Sequence, residues 1–245
     1  MHVITALLVA FAVTQIATLA TTVYLHRTLS HRALTLTPAA SFGFRALLWM
    51  TTGIRPRQWV AVHRKHHAFS DVEGDPHSPI LEGFAMVQFG NVSLYRKALK
   101  DGTIVTRYAR DLPADKWDRA LFDRAWLGLG IGIVALIVVF GPWLGLLAAG
   151  VHTALYLLLN AAVNAIGHTY GQRPRDNKAT NNQWLAWLTC GEGLHNNHHA
   201  APTSACLALA KGEIDPAWWL IRVLEVTKQA TVRLDHDRVM ERLAS

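Results

Sequence analysis

Two long stretches without a charged side chain constrain this chain more than any other feature. Val3 to Leu25 runs 23 residues and Ala125 to Gly167 runs 43, with no Asp, Glu, Lys or Arg in either. At about 1.5 Å per helical residue, the first is long enough for a hydrocarbon core of about 30 Å. The second suits two crossings, with Gly141-Pro142 where a helical hairpin would turn. Trp126 and Trp143 are placed like interfacial anchors. A secretory leader would need a basic region ahead of a shorter apolar run; only Met1 and His2 precede this one, so a retained helix is expected.

Charge sets the expected orientation. All 24 Lys and Arg residues lie at or after Arg27, and none falls between Ala125 and Gln172. By the positive-inside rule, 55–124 and 167–245 are cytoplasmic. The expected chain is therefore an all-α, multi-pass membrane protein of one domain. Its spans are 3–25, 125–140 and 143–166, and the hairpin turn faces outside. The third apolar stretch, Ala33 to Ile54, contains Arg45, which would cost about 2.5–3.5 kcal/mol at a bilayer centre. An interfacial helix over 33–54, lying along the surface or re-entering, is expected instead. The net charge of +7 then reads as a membrane-surface signal. No nucleic-acid-binding motif accompanies it, so no nucleic-acid partner is expected. Two cysteines, Cys190 and Cys206, exclude a disulfide framework, a four-cysteine zinc site and an iron–sulfur cluster.

Nine of the 13 histidines fall in a pattern. His26 and His31 follow the first span. His63, His66 and His67 form one H-x-x-H-H box, and His195, His198 and His199 form another. On an α-helix, i, i+3 and i+4 share a face, so each box is expected to aim three imidazoles at one point. His26 and His31 are five apart, about 140° on an α-helix, so they are expected not to share a face. One then comes from the helix end and the other from a bend beyond it. His168 lies four residues after Asn164 at the inner end of the last span, where Asn164 can hold a metal-bound water. Neutral imidazole is the commonest protein metal ligand. Nine of them suit two metals with four or five ligands each, and imidazole-rich coordination of that number points to iron. Zinc can take the same positions in overproduced protein, because divalent affinities favour it. His2, His77, His152 and His236 are expected to ligate nothing. Asp71 and Asp75 are candidates to hold imidazole N–H groups.

These motifs resemble the three histidine boxes of membrane-bound fatty-acyl desaturases, in the version of the acyl-CoA Δ9 (stearoyl-CoA) branch. The likeness runs from about Tyr24 to Thr203. It includes Ser30-His31-Arg32, Gly74-Asp75-Pro76-His77, Asn164-x3-His168 and Gly191-Glu192-Gly193-Leu194-His195-Asn196-Asn197-His198-His199. Trp59, four residues before His63, matches a Trp of that branch. The resemblance implies two non-haem irons that activate O2 and remove two hydrogens from adjacent methylenes of a saturated acyl chain, giving a cis double bond at Δ9. Such C–H bonds lie beyond acid–base chemistry and need a redox cofactor. Trp59 and Asn164 are the candidate catalytic residues, and Trp59 and the Ala/Thr-rich first helix are candidates for the wall of the acyl tunnel. Arg96 and Lys97 lie where that branch places basic residues near its substrate's phosphates. The acyl carrier is acyl-CoA, acyl carrier protein or a membrane lipid. One span precedes the first box here, where the animal branch has two.

No Rossmann fingerprint accompanies the boxes, so an external donor is expected: ferredoxin, rubredoxin or a b-type cytochrome. The catalytic face is then cytoplasmic, and a bacterial cytoplasmic membrane is the expected location. A hydroxylase, ketolase or related oxidase can use the same boxes, but the Asn164–His168 pair and the Gly-Glu-Gly form favour desaturation. A metal transporter would place ionisable residues inside its spans, and these spans carry none apart from His152.

Overall fold

The computed structural model describes residues 3–244, so His2 lies outside the described residues. Helix α1 (Val3–Ala20) continues without a break as a π-helical segment, Thr21–Ser30. The rest of the chain is β1 (Leu34–Leu36), α2 (Pro38–Thr51), α3 (Pro56–Ala68), α4 (Pro79–Glu82), α5 (Phe84–Leu99), α6 (Ile104–Tyr108), a π-turn at Asp118–Phe122, α7 (Ala125–Phe140), α8 (Pro142–Ala165), α9 (Gln183–Leu188), α10 (His195–Ala200), α11 (Pro216–Val226), β2 (Ala230–Val232) and α12 (His236–Ala244).

Val3–Ser30 and Pro142–Ala165 are long and apolar enough to cross a membrane. The 16 residues of α7 rise only about 24 Å. Small residues bring these helices together: Ala6, Ala10 and Ala148 form the α1–α8 contact. A Cβ at Gly145 would strike the Ile137 backbone, so α7 and α8 form a tight hairpin. Close backbone approach of this kind is how apolar helices pack where hydrophobic burial drives nothing. Large apolar side chains point outward instead, among them Leu8 and Phe11 on α1, Val138 on α7 and Trp143 on α8.

The stretch expected as one interfacial helix divides. Leu34–Leu36 forms a strand, antiparallel to Ala230–Val232, with Thr35 opposite Thr231. The fold is thus mostly helical rather than all-α. Alternating Leu34 and Leu36 gives the segment a strand period, and Leu34 joins a core with Val23 and Ile221. Helix α2 is capped by Thr37, whose hydroxyl accepts from the Ala40 N–H, and runs antiparallel beside α1. Phe44 stacks on Tyr24, Leu48 joins Ala20, and Thr51 reaches the middle of the bundle. There His152 Nε2 donates to the Thr51 carbonyl oxygen at 2.9 Å, and His152 Nδ1 meets the Thr14 hydroxyl at 3.0 Å. His152 therefore braces three helices. Arg45 is covered by the Phe122 ring and paired with Asp115 and Asp118, so its charge is compensated within the fold.

Candidate metal centre

The π-helical segment aligns the first two histidines. Its turns close on the fifth residue back. The Thr28 hydroxyl donates to the Val23 carbonyl oxygen at 2.7 Å and the Ser30 hydroxyl to that of Leu25 at 2.8 Å. The His31 N–H bonds the His26 carbonyl at 3.1 Å. In this register residues five apart are neighbours. His26 and His31 do share a face, contrary to the α-helical expectation, and their ring centroids lie 4.9 Å apart.

The two H-x-x-H-H boxes lie on α3 and α10, and neither aims at a single point. His63 and His67 gather with His26, His31 and His198, while His66 gathers with His168, His195 and His199. Each box thus divides two and one. Positions i and i+4 differ by about 40° and turn to one centre; i+3 lies about 100° from i+4 and turns to the other. The ligand atoms within each group lie within 4.8 Å of one another. The groups adjoin through His67 and His199, stacked at 4.4 Å.

Three carboxylates orient the rings. His26 Nδ1 meets Glu192 at 2.8 Å, His168 Nδ1 meets Asp71 at 2.6 Å, and His66 Nδ1 meets Asp75 at 3.0 Å. An ionised carboxylate only accepts, so each Nδ1 carries the proton and each Nε2 presents a lone pair. The Nε2 atoms of His66 and His168 are buried without a hydrogen-bond partner. Other Nε2 atoms crowd together: His31 and His63 at 2.8 Å, His26 and His198 at 3.0 Å, His67 and His198 at 2.9 Å. Burial pushes His66 down to about 3, helped by His168, and holds His31, His63, His67, His195, His198 and His199 well below the usual imidazole range. Converging, neutral lone pairs are a donor set for two cations and suit little else. The residues fit the iron pair expected of them.

Glu192 had no role assigned from the sequence. It sits between Gly191 and Gly193, and both glycines are required by space. Gly191 has φ +103°, and a Cβ there would collide with Asp215 and approach Arg27 Nη2 at 2.8 Å. A Cβ at Gly193 would collide with the Ala186 backbone. Beside Glu192, Arg27 is fully buried and pairs bidentately with Asp215, at 2.6 and 3.0 Å. Asp215 also caps α11 by accepting from the Ala217 N–H. Arg64, inside the second box, bonds the carbonyls of Leu29 and Ser30 and pairs with Asp111, tying α3 to the end of the π-helix. His77 packs on His66 at 4.7 Å with its Nε2 buried and unpartnered, and with Asp75 the two form a third small cluster.

A cavity of about 140 Å³ opens beside both clusters. His26 and His63 of the first cluster and His195 of the second line it, with Trp59, Tyr95 and Asn164. Trp59 stacks on His63 at 4.9 Å. Asn164 stands one turn before His168, whose N–H bonds its carbonyl at 3.3 Å. Thr18, Thr21, Leu159 and Val163 continue the wall between α1 and α8. Arg96 and Lys97 are exposed and do not line this cavity; Lys97 pairs with Glu82 at 3.0 Å. Tyr95, on the same helix, does line it.

The match to known proteins agrees with this geometry. Residues 2–218 match the family model for fatty acid desaturases. The acyl-CoA C20 Delta5-desaturase of Anemone leveillei is 34% identical, aligning 86% of this chain with 68% of its own length. Delta-9 acyl-lipid desaturase 2 of Arabidopsis thaliana is 31% identical over 98% of this chain and 78% of its own. The sn-2 palmitoyl-lipid 9-desaturase of Nostoc sp. (strain 36) is 32% identical over 82% and 71%. The chain belongs to the fatty acid desaturase family, and it is an oxidoreductase.

Proposed function

We propose that this chain is an O2-dependent di-iron desaturase that introduces a cis double bond into a saturated fatty acyl chain, at Δ9, with electrons from an external donor. One observation carries the reading: an apolar-walled cavity touches ligands of both histidine clusters. An acyl chain lying in it would hold one methylene pair beside the metals, which selects position and geometry. The first cluster would be held by His26, His31, His63, His67 and His198, the second by His66, His168, His195 and His199. Bound there, iron would supply the one-electron O2 chemistry that no side chain can. The chain's own groups do the rest. Glu192, Asp71 and Asp75 fix the imidazole tautomers. Trp59 packs against His63 and forms the wall against which the chain bends. Asn164 offers its side chain to a water between the cavity and His168.

Three spans, α1 with its π-helical extension, α7 and α8, would place the histidine layer at the cytoplasmic surface, reachable by a soluble or peripheral donor. The basic loops would steer an acidic donor to that face.

The test is expression in a host lacking unsaturated lipids, followed by double-bond mapping of total acyl chains. New cis-Δ9 chains support the reading. Hydroxylated chains in place of alkenes would overturn it. Trp59→Ala is expected to spread the double bond over neighbouring positions, and Asn164→Ala to keep more activity than loss of any metal-holding histidine.

A further inference from the structure

We propose that α9 and α11 are sunk in the cytoplasmic leaflet, where Trp184, Trp187, Leu188, Trp219, Val223 and Val226 rest among lipid acyl chains. The inference rests on the membrane reading of α1 above, but it changes what the segment after α8 is. That segment becomes part of the membrane-embedded body rather than a cap standing clear of it.

The first observation is the patch itself. Trp184 is 83% exposed and Val226 77%, and the other four are also exposed. Trp187 and Trp219 join the two helices, with ring centroids 5.9 Å apart. Helix α11 is apolar on two sides. Ala217 and Ile221 face inward to Val23 and Cys190. Trp219, Val223 and Val226, at i, i+4 and i+7, form a second stripe facing out. A helix on a water-facing surface would carry polar residues on that stripe.

The second observation identifies the occupant. The outward face of α1 is exposed from Val3 to Ile16, and α1 is then largely enclosed from Ala17 onward. Where the exposed face stops, α9 packs against α1. The Gln15 side-chain amide donates to the Leu188 carbonyl oxygen at 3.2 Å, which sets the end of α9 beside the C-terminal third of α1. The apolar patch is therefore continuous with the exposed apolar stripe of α1, which the membrane reading puts against lipid. Tryptophan is the residue suited to this depth, with an apolar body and one N–H donor. Arg222 lies beside the stripe, exposed and paired with Glu225 at 2.6 Å, on a stem long enough to reach the headgroups.

The experiment uses the full chain in phospholipid nanodiscs holding one copy each. The photo-crosslinking residue p-benzoylphenylalanine replaces Leu8, Trp187, Lys211 or Val223 in turn. All four positions are exposed. Mass spectrometry then reads lipid adducts. Positions 187 and 223 are expected to match position 8 in lipid adducts and to exceed position 211 several-fold. Lipid adducts at 8 with none at 187 and 223 overturn this inference and leave the membrane reading intact. No lipid adduct at 8 overturns the membrane reading itself. Crosslinks from 187 or 223 to a second protein in native membranes, with no lipid adduct, assign the patch to a protein partner and also overturn it.

Discussion

His31 stands one π-helical turn beyond His26, its backbone N–H donating to the His26 carbonyl oxygen at 3.1 Å. The hydroxyls of Thr28 and Ser30 hold this wider register by bonding carbonyls five residues back. Replacing both with Ala leaves backbone bonds alone to keep it. Thr28→Ala/Ser30→Ala is expected to release metal from the first cluster and spare the second. Metal per chain after mild chelation, falling from two towards one, checks this; unchanged retention would show that packing alone holds the π-register.

The two-and-one division of each box makes ligand losses separable. His31→Ala removes a ligand from the first cluster only, and His168→Ala from the second only. Each is expected to leave about one metal per chain, since each cluster keeps its own converging imidazoles. Double-bond formation is expected to vanish in both, and in His67→Ala and His199→Ala, while insertion into the membrane continues. Loss of both metals from either single variant would mean that the clusters fold as one unit.

The three carboxylates that orient His26, His66 and His168 are expected to matter nearly as much as ligands. Glu192→Ala, Asp75→Ala and Asp71→Ala should each weaken metal retention or activity by about 10–100-fold. Metal titration of the purified variants reads the effect. Glu192→Ala is expected to act on the first cluster, and the two aspartate variants on the second.

Acid is expected to dismantle the centre. His66, held down to about 3 by burial, stays neutral in the fold but takes up a proton below about 6.5 once unfolded. Between those values the unfolded chain binds more protons, so stability rises with pH across the window and is lost as pH falls from about 6.5 toward 3. Competition between protons and metal acts in the same direction. Thermal unfolding in detergent between pH 7 and pH 4 checks this; a midpoint flat across that range contradicts it.

Arg27 and Asp215 form a fully buried pair next to Glu192. Removing one partner of such a pair leaves an uncompensated charge and is expected to cost about 3–5 kcal/mol. Arg27→Ala and Asp215→Ala should each lower the unfolding midpoint sharply, and the double variant by less than the two effects added. Gly191→Ala is expected to resemble them, because its Cβ would enter the space between the two charges.

Much of this centre was legible in the residues alone. Absence of charge marked the two apolar regions, and identity with spacing picked out the nine histidines that the fold gathers into two clusters. Asp71 and Asp75 were legible as partners because they follow the second box closely. The π-register was not legible, because side-chain hydroxyls select it against the commoner α spacing, and Thr28 and Ser30 look ordinary in sequence. Glu192 pairs with His26 across 166 positions, a contact that no local pattern carries. The same holds for Leu34–Leu36, whose strand exists only because Ala230–Val232 returns to it. His77 was passed over although it sits two residues from Asp75; only burial against His66 sets it apart.

The wiring of the two clusters sets a timetable for biosynthesis. A nascent chain that has emerged through Ala68 already carries four ligands of the first cluster, His26, His31, His63 and His67, but only His66 of the second. The first cluster still lacks His198, the acid that orients His26, and Asp215, which neutralises Arg27. The second waits for His168, His195 and His199. Neither cluster is complete until His198 and His199 have been made, about four-fifths of the way along the chain, so metal loading is expected to be a late step, and a ribosome stalled before that point leaves both clusters unfinished.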